Sequence, residues 1–113
     1  MSDFNQITLS GRLSKDPVSR KTANGVDESC FSIAINMWNN LNKEEDVFFF
    51  DCVCWNNNAN YMNENIKKGD LVLINGSLRY DIVKDKDGEK SKKYHKIICN
   101  VVKLMNKKNT HNL

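Results

Sequence analysis

Apolar and polar positions alternate along most of the chain, and this pattern predicts five β-strands and one short helix. In residues 4–13 apolar side chains occupy nearly every second position, which is typical of a strand with one buried face. Four later segments are also predicted strands: 30–38, 47–55, 70–83 and 94–104. Residues 56–68 have helical spacing instead, with Ala59, Met62 and Ile66 on one face. The predicted order is therefore β-β-β-α-β-β.

Turn residues separate these segments. Asp16-Pro17 ends the first strand, because proline cannot donate to a sheet ladder, while Asn24-Gly25 and Asp87-Gly88 predict tight turns. Gly69 is placed to end the helix as a C′ residue, and Gly76 predicts a bulge or bend in the fourth strand. The element order is that of an OB-fold, an all-β, five-stranded Greek-key barrel with one helix, although other small α+β folds share it.

The third strand is the richest in aromatic residues, and alternation assigns its side chains to two faces. The predicted core face consists of Phe48, Phe50, Cys52 and Cys54. The opposite face mixes large aromatic rings with a charge, a combination that a sealed core would not hold: Phe49, Asp51, Val53 and Trp55.

Charge is distributed unevenly along the 113 residues, whose formal net charge is +3. Residues 1–78 carry 7 basic and 10 acidic side chains, whereas residues 79–113 carry 10 basic and 4 acidic ones. The basic final third suggests a polyanionic partner, although a solvated lysine-rich surface would look the same. We predict one domain over residues 1–106, followed by a short polar C-terminal end, 107–113, without an acidic tail.

Several other classes of protein are disfavoured. No signal peptide or membrane-spanning run is visible, and the four cysteines are interpreted as reduced and buried. Cys52 and Cys54 lack the nearby second pair of a structural zinc site, so no metal is predicted. No paired carboxylates, phosphate loop or organised triad is present, so we predict neither an enzyme nor a cofactor.

Several blocks of sequence resemble the bacterial-type single-stranded DNA-binding (SSB) family, in family order from about residue 5 to 105. They include Asn5–Pro17 with Arg20, Phe31–Asn36, Phe49–Trp55 and Ile66–Arg79. The resemblance implies an OB-fold, single-stranded DNA as partner, a homotetramer, and no catalysis. Asp85–Gly88 matches the tip of the family's hairpin.

Stacking and phosphate contacts carry over from the family position by position. Phe49 and Trp55 match its stacking positions, and Trp38 lies at or within one residue of another. Val83 stands where the family commonly has an aromatic residue, which puts that contact in doubt; Tyr80 is a weak substitute. The implied phosphate contacts are Arg20, Lys68 and Arg79, and Lys84 is added from charge alone.

The leading hypothesis is sequence-independent binding and protection of single-stranded DNA in replication, repair and recombination. An RNA-binding OB module would use the same surface, and an SSB-like paralogue acting as a replication assembly factor is a third hypothesis. Because the chain shows no acidic tip, recruitment of replication and repair proteins is not assigned. The expected location is cytoplasmic and nucleoid-associated, with an organelle version left open.

Overall fold

The computed structural model describes residues 2–88 and 90–108, and this part of the chain folds into strands with a single helix. The predicted division at residue 106 stays a prediction, and residues 109–113 of the predicted C-terminal end lie outside the described residues. The elements in chain order are β1 (Ile7–Leu13), β2 (Val18–Lys21), β3 (Asp27–Asn39), β4 (Glu44–Trp55), α1 (Asn57–Asn65), β5 (Leu71–Lys84) and β6 (Ser91–Asn106).

The strands form one sheet in the order β1-β5-β6-β4-β3-β2, which is closed by additional pairing of β1 with β3. The closing contact pairs Arg12 with Ala34. Most neighbours are antiparallel, while β4 and β6 run parallel where Cys52 meets Ile97. A closed sheet of this order, with its helix between β4 and β5, confirms the predicted OB-fold.

The helix covers one end of the barrel. As predicted, Ala59, Met62 and Ile66 face inward and are completely buried. Burial contributes about 1.5–3 kcal/mol to folding for a side chain of the size of Met62 or Ile66, and less for Ala59, so the helix is held mainly by this face. The rest of the core comes from the strands and includes Leu13, Phe31, Ile33, Cys52, Cys54, Val72, Ile74, Ile97, Cys99 and Val102.

Two local predictions were wrong. The short strand β2 was missed because its four residues are all exposed and lack alternation, but it pairs with β3 from Val18 to Lys21. Gly69 does not end the helix, which finishes at Asn65. Instead, Gly69 has φ +89° inside a turn closed by the Asp70 N–H and the Lys67 carbonyl, 3.0 Å apart. This matches the third position of a type II turn, which favours glycine.

The glycine in β5 marks a bulge, as predicted. The register of β5 and β6 shifts between Asn75 and Gly76. A Cβ on Gly76 would lie 1.8 Å from the carbonyl oxygen of Ile98, so the two backbones approach too closely for any side chain. The turn predictions at Asn24-Gly25 and Asp87-Gly88 are also confirmed, with φ of +81° and +71° at the two glycines.

Asp70 links two parts of the chain at the helix end of the barrel, the turn after the helix and the residues that follow β6. Its buried carboxylate accepts the backbone N–H groups of Lys67 and Lys108, each at 2.9 Å, and the Lys107 ammonium at 3.0 Å. Burial alone would raise the pKa of this carboxyl, but these donors outweigh it and lower the pKa below its ordinary value of 3.8.

We expect Asp70→Asn to lower the free energy of unfolding at pH 7 by about 1.5–3 kcal/mol, because the amide turns one acceptor into a donor facing an N–H group. The folded-state pKa is depressed, so the stabilisation is complete above about pH 4 and is lost as pH falls through the folded value. Urea unfolding between pH 2 and 7 measures both effects. An unchanged variant, or equal pH dependence in both proteins, would contradict this account.

Candidate nucleic-acid interface

The pairing of β3 with β4 brings the three predicted stacking residues to one face. Phe49 lies opposite Ala34, Trp55 opposite Glu28, and Trp38 opposite Glu45. Because side chains alternate along a strand, Glu45, Phe49 and Trp55 share a face, and Trp38 joins it across the ladder. Phe49 and Trp55 are six residues apart, which corresponds to about 20 Å.

The three rings differ in how open they are to solvent. The side chains of Trp38 and Phe49 are exposed by 58% and 64%, whereas Trp55 is only partly exposed. Between the last two, Asp51 is exposed and Val53 is buried, with 4% exposure. Val53 therefore belongs to the floor of this face and is not available for contact, unlike Asp51 and Trp55 on the same face.

Phe48 corrects the predicted core face. Phe50 packs against the core and Cys52 and Cys54 are buried, but Phe48 is 44% exposed. The reason is the geometry of the sheet: β4 pairs with β6 only around residues 52 and 53, so residues 44–49 pair with β3 alone. This end of the β3–β4 hairpin extends beyond the barrel, where no layer of the described structure covers the inner face.

A groove of about 450 Å³ runs along this face between β2, β3 and β4. Arg20 from β2 lies directly opposite Glu28, which in turn lies opposite Trp55, so the three form a row across the sheet. The charged lining contains three cations and three acids: Lys15, Arg20 and Lys96 with Asp16, Glu28 and Asp51.

Lys96 is a residue that the sequence analysis missed. It lines the groove and also a second hollow of about 250 Å³ beside Phe49. Its ammonium forms an ion pair of 2.7 Å with Asp81. Arg79 lies directly opposite Lys96 in the β5–β6 ladder, so the predicted Arg79 and the missed Lys96 share a face.

Lys84, the remaining predicted cation, lies on the opposite face of the β5–β6 hairpin from Arg79 and Lys96. Lys84 is five residues from Arg79, so strand alternation places it on the other face, with Tyr80. Tyr80 itself packs against His95, with ring centroids 5.6 Å apart, and the Lys93 ammonium lies 4.8 Å from its ring. The residues of β6 that share the face of Arg79 are instead Lys92, Tyr94 and Lys96.

Lys68 lies in the loop that follows the helix, at the rim of the groove. Its backbone N–H donates to the carboxylate of Asp16 at 2.8 Å, and Asp16 lines the groove. The Lys68 side chain is exposed. The structure therefore brings Arg20 and Lys68 to the groove and Arg79 to its far side, beside Lys96.

The cysteines are free thiols, and only Cys30 is partly exposed, where it lines the groove. Burial, and then a 3.2 Å hydrogen bond to Glu28, raise the pKa of Cys30 above its ordinary 9.0. Burial raises the pKa of Cys54 to about 12. A hydrogen bond with Cys99, together with burial, also raises the pKa of Cys52. All three thiols are therefore protonated near neutral pH, which makes them poor metal ligands and nucleophiles.

Two further searches cover only the described part of the chain. No group of three or more His, Cys, Asp or Glu side chains is placed to hold a metal ion there. Within the same residues, no helix is long and apolar enough to cross a membrane.

An OB barrel with exposed aromatic rings beside a groove that contains cations defines the class of oligonucleotide-binding domains. Sequence comparison gives the family. Residues 4–105 match the model of the single-strand binding protein family, and the chain belongs to that family. Proteins of this family bind single-stranded DNA and are not enzymes.

Individual relatives agree with this assignment. A single-stranded DNA-binding protein of Malacoplasma penetrans is 38% identical over 96% of this chain and 56% of its own length. One from Borreliella burgdorferi is 34% identical over 97% of this chain and 76% of the relative. Single-stranded DNA-binding protein 1 of Staphylococcus aureus is 30% identical, over 94% and 64%. The chain thus spans between about half and three quarters of the length of these relatives.

We expect a thiol reagent at pH 8 to label Cys30 before the other cysteines, because Cys30 alone reaches solvent. The rate should keep rising with pH beyond 9.0, and Glu28→Gln should speed labelling at fixed pH by lowering the thiol pKa. Mass spectrometry of the labelled protein measures this, with Cys30→Ser as the control that removes the first phase. Early labelling of Cys52, Cys54 or Cys99 would contradict the arrangement of the sheet.

Proposed function

We propose that this chain binds single-stranded DNA without sequence preference, by base stacking on the β3–β4 face and by phosphate contacts along the groove. The observation that carries the proposal is the row of rings on one face, two of them more than half exposed. Aromatic rings stack on any unpaired base, and each stacked base contributes about 1–3 kcal/mol. The family and the names of its relatives support the same partner.

The proposed stacking residues are Phe49, Trp38 and Trp55. Phe49 and Trp38 offer open rings, and Trp55 stands at the end of the groove opposite Glu28. Trp55 is partly covered, so a base would contact one edge or face of its indole. The large separation of the rings along the sheet means that successive contacts fall on different nucleotides of the strand.

The proposed phosphate contacts are Arg20, Lys68 and Arg79, and we add Lys96 because it lines the groove. Each lies on or beside the groove, and release of counterions from the strand favours such contacts. Asp51 opposes them from the middle of the face. Lys84 stays a prediction from charge alone, because alternation turns it away from this face.

The proposal extends to self-association into the homotetramer that the family resemblance implies. Its support is the exposed apolar surface on the two hairpins, which an assembly would bury. Phe48, Leu78 and Ile82 are the main examples. The proposal also includes roles in replication, repair and recombination, and association with the nucleoid, because single-stranded DNA is the proposed partner. Light scattering gives the mass in solution and tests the tetramer directly.

The proposed function is tested by titrating the protein with oligo-dT while following tryptophan fluorescence. Stacking on Trp38 and Trp55 should quench the emission, and duplex DNA should compete weakly. An RNA oligonucleotide of matched length should compete less well than the DNA. Emission that does not change at saturating oligo-dT would contradict stacking, and a clear preference for RNA would overturn the DNA assignment.

We expect Phe49→Ala to weaken binding of oligo-dT by about 1–3 kcal/mol, or roughly 5- to 150-fold, because one stacked base is lost. Phe48→Ala is the comparison: it removes the same ring one position along the same strand, on the opposite face, where we place the subunit contact. Light scattering of both variants therefore accompanies the titration, and only variants that keep the mass of the unmodified protein are compared. Fluorescence titration of both variants gives the comparison. Equal losses in the two variants would show that the ring acts through folding or assembly and not through stacking.

A further inference from the structure

The chain contains two Asn-Gly dipeptides, and the fold places them in opposite surroundings. Asn24-Gly25 forms the tip of the β2–β3 hairpin, where both residues are exposed. Among the described residues, no atom lies within 4 Å of the position that a Cβ on Gly25 would take. Asn75-Gly76 lies instead inside β5, between its neighbours β1 and β6. The same dipeptide thus stands once at the open surface and once within the sheet.

An asparagine that precedes a glycine can lose its side-chain amide without an enzyme. The glycine backbone nitrogen gives up its proton and bonds to the side-chain carbonyl carbon of the asparagine, whose amide nitrogen leaves as ammonia. Water then opens the resulting succinimide ring at either of its two C–N bonds. One product is aspartate, and the other is isoaspartate, in which the main chain runs through the former side-chain carbon. Glycine favours the attack because no side chain hinders its nitrogen and its backbone dihedral angles are free.

The two sites differ in how firmly these reacting groups are held. The Gly25 N–H donates to the carbonyl oxygen of Thr22 at 2.9 Å, and this bond at the surface must open before the nitrogen can attack. At the second site the Asn75 amide donates to Thr8 Oγ1 at 2.6 Å, and the Gly76 backbone lies against β6, where even a Cβ would not fit. Exposed turns open locally at almost no cost in free energy, whereas a central strand opens only with the whole domain.

We propose that Asn24 is a site of spontaneous deamidation in the folded protein, and that the isoaspartate formed there loosens β2. Within the described sheet, β2 is an edge strand of four exposed residues that pairs with β3 alone. It therefore depends on the turn, in which the Thr22 N–H donates to the Val26 carbonyl at 2.9 Å and the Val26 N–H donates to Thr22 Oγ1 at 3.1 Å. An extra main-chain carbon before Gly25 moves its N–H away from the Thr22 carbonyl and disturbs this closure.

Loosening of β2 affects the site because this strand carries Arg20, a proposed phosphate contact on the groove. This consequence rests on the proposed function, whereas the deamidation itself does not. The new carboxylate alone should act weakly, since the four residues from Arg20 to Asn24 span about 13 Å of extended chain, more than the screening length of about 10 Å in 0.1 M salt. The change in the main chain is therefore the dominant effect, and aged protein should hold a single strand less tightly.

The site is tested by incubating the unmodified protein in mildly alkaline buffer and mapping its peptides over time by chromatography and mass spectrometry. In the folded protein we expect Asn24 to deamidate at least about tenfold faster than Asn75, because only the turn opens locally. In urea, where both dipeptides are free, the two rates should converge. Equal rates in the folded protein, or earlier loss of the amide at Asn75, would overturn the assignment.

The consequence is tested with two variants of the same position beside unmodified protein aged until Asn24 is converted. Asn24→Gln, aged in parallel, resists the reaction because its longer side chain would have to close a six-membered ring. Asn24→Asp, used fresh, carries the new charge on an unaltered main chain. Hydrogen exchange follows the amides of residues 18–21, and fluorescence titration with oligo-dT gives the salt dependence. We expect only the aged unmodified protein to exchange faster in β2 and to lose about 0.7 from its log–log salt slope, the value of one phosphate contact on a single strand.

The outcomes separate this inference from the proposed function. If fresh unmodified protein binds no oligo-dT, the proposed function fails and the expected loss of binding fails with it, but peptide mapping and hydrogen exchange still decide the site. If deamidated protein exchanges and binds as fresh protein does, the loosening of β2 is overturned. Equal losses in aged Asn24→Gln would trace the change to another part of the chain and would overturn it as well.

Discussion

The antiparallel register of β3 and β4 is the constraint on which the site depends. Pairing Phe49 with Ala34 fixes every other pair along the ladder, including those of Trp38 and Trp55. A slip of one residue would send each ring to the opposite face of the sheet. The buried inner positions prevent such a slip, because Ile33 and Cys54 would have to leave the core. Packing of the barrel interior therefore determines which aromatic rings are exposed on the outer face of the sheet.

Two carboxylates near the groove accept hydrogen bonds from backbone N–H groups, and this affects how charge is distributed there. Asp16 and Asp70 stabilise the turn at residues 67–70, and their bonds place neighbouring lysines at the surface. Of the three acids that line the groove together with three cations, Asp16 is engaged in this way. A carboxylate that accepts backbone N–H groups has less negative potential to oppose a phosphate. Asp51, exposed in the centre of the face, keeps its opposing charge.

Most of the fold could be predicted from the sequence, because local pattern and final packing agree there. Alternation gave the strands of the core, and helical spacing gave the buried face of α1. The prediction that Phe48 is a core residue was wrong, because alternation states which side of the sheet a residue faces, but not where the covering layer ends. Gly69 failed because a glycine after a helix suits a C′ position and a type II turn equally well. In the structure the Gly69 N–H donates to the carbonyl of the distant Leu13 at 2.8 Å and not to a carbonyl of the helix.

The placement of the candidate site residues was predictable where they lie on one strand and less so where they meet across strands. Phe49 and Trp55 follow from a single alternating segment. Lys96 could have been found by extending the register outward from the Asp87-Gly88 turn, which pairs it with Arg79. The same extension would have separated Lys84 from the group. The contact of the Arg12 guanidinium with the Gly69 carbonyl carried no sequence signal, because the two residues lie far apart in the chain.

The central claim is that bases stack on the outer face of the β3–β4 ladder. Photocrosslinking tests it directly, with oligonucleotides that carry 5-iodouracil and mass spectrometry that locates the adducts. The account predicts adducts at Phe49, Trp38 and Trp55. Adducts confined to Phe48 or Tyr80, on the other face of the two hairpins, would contradict it.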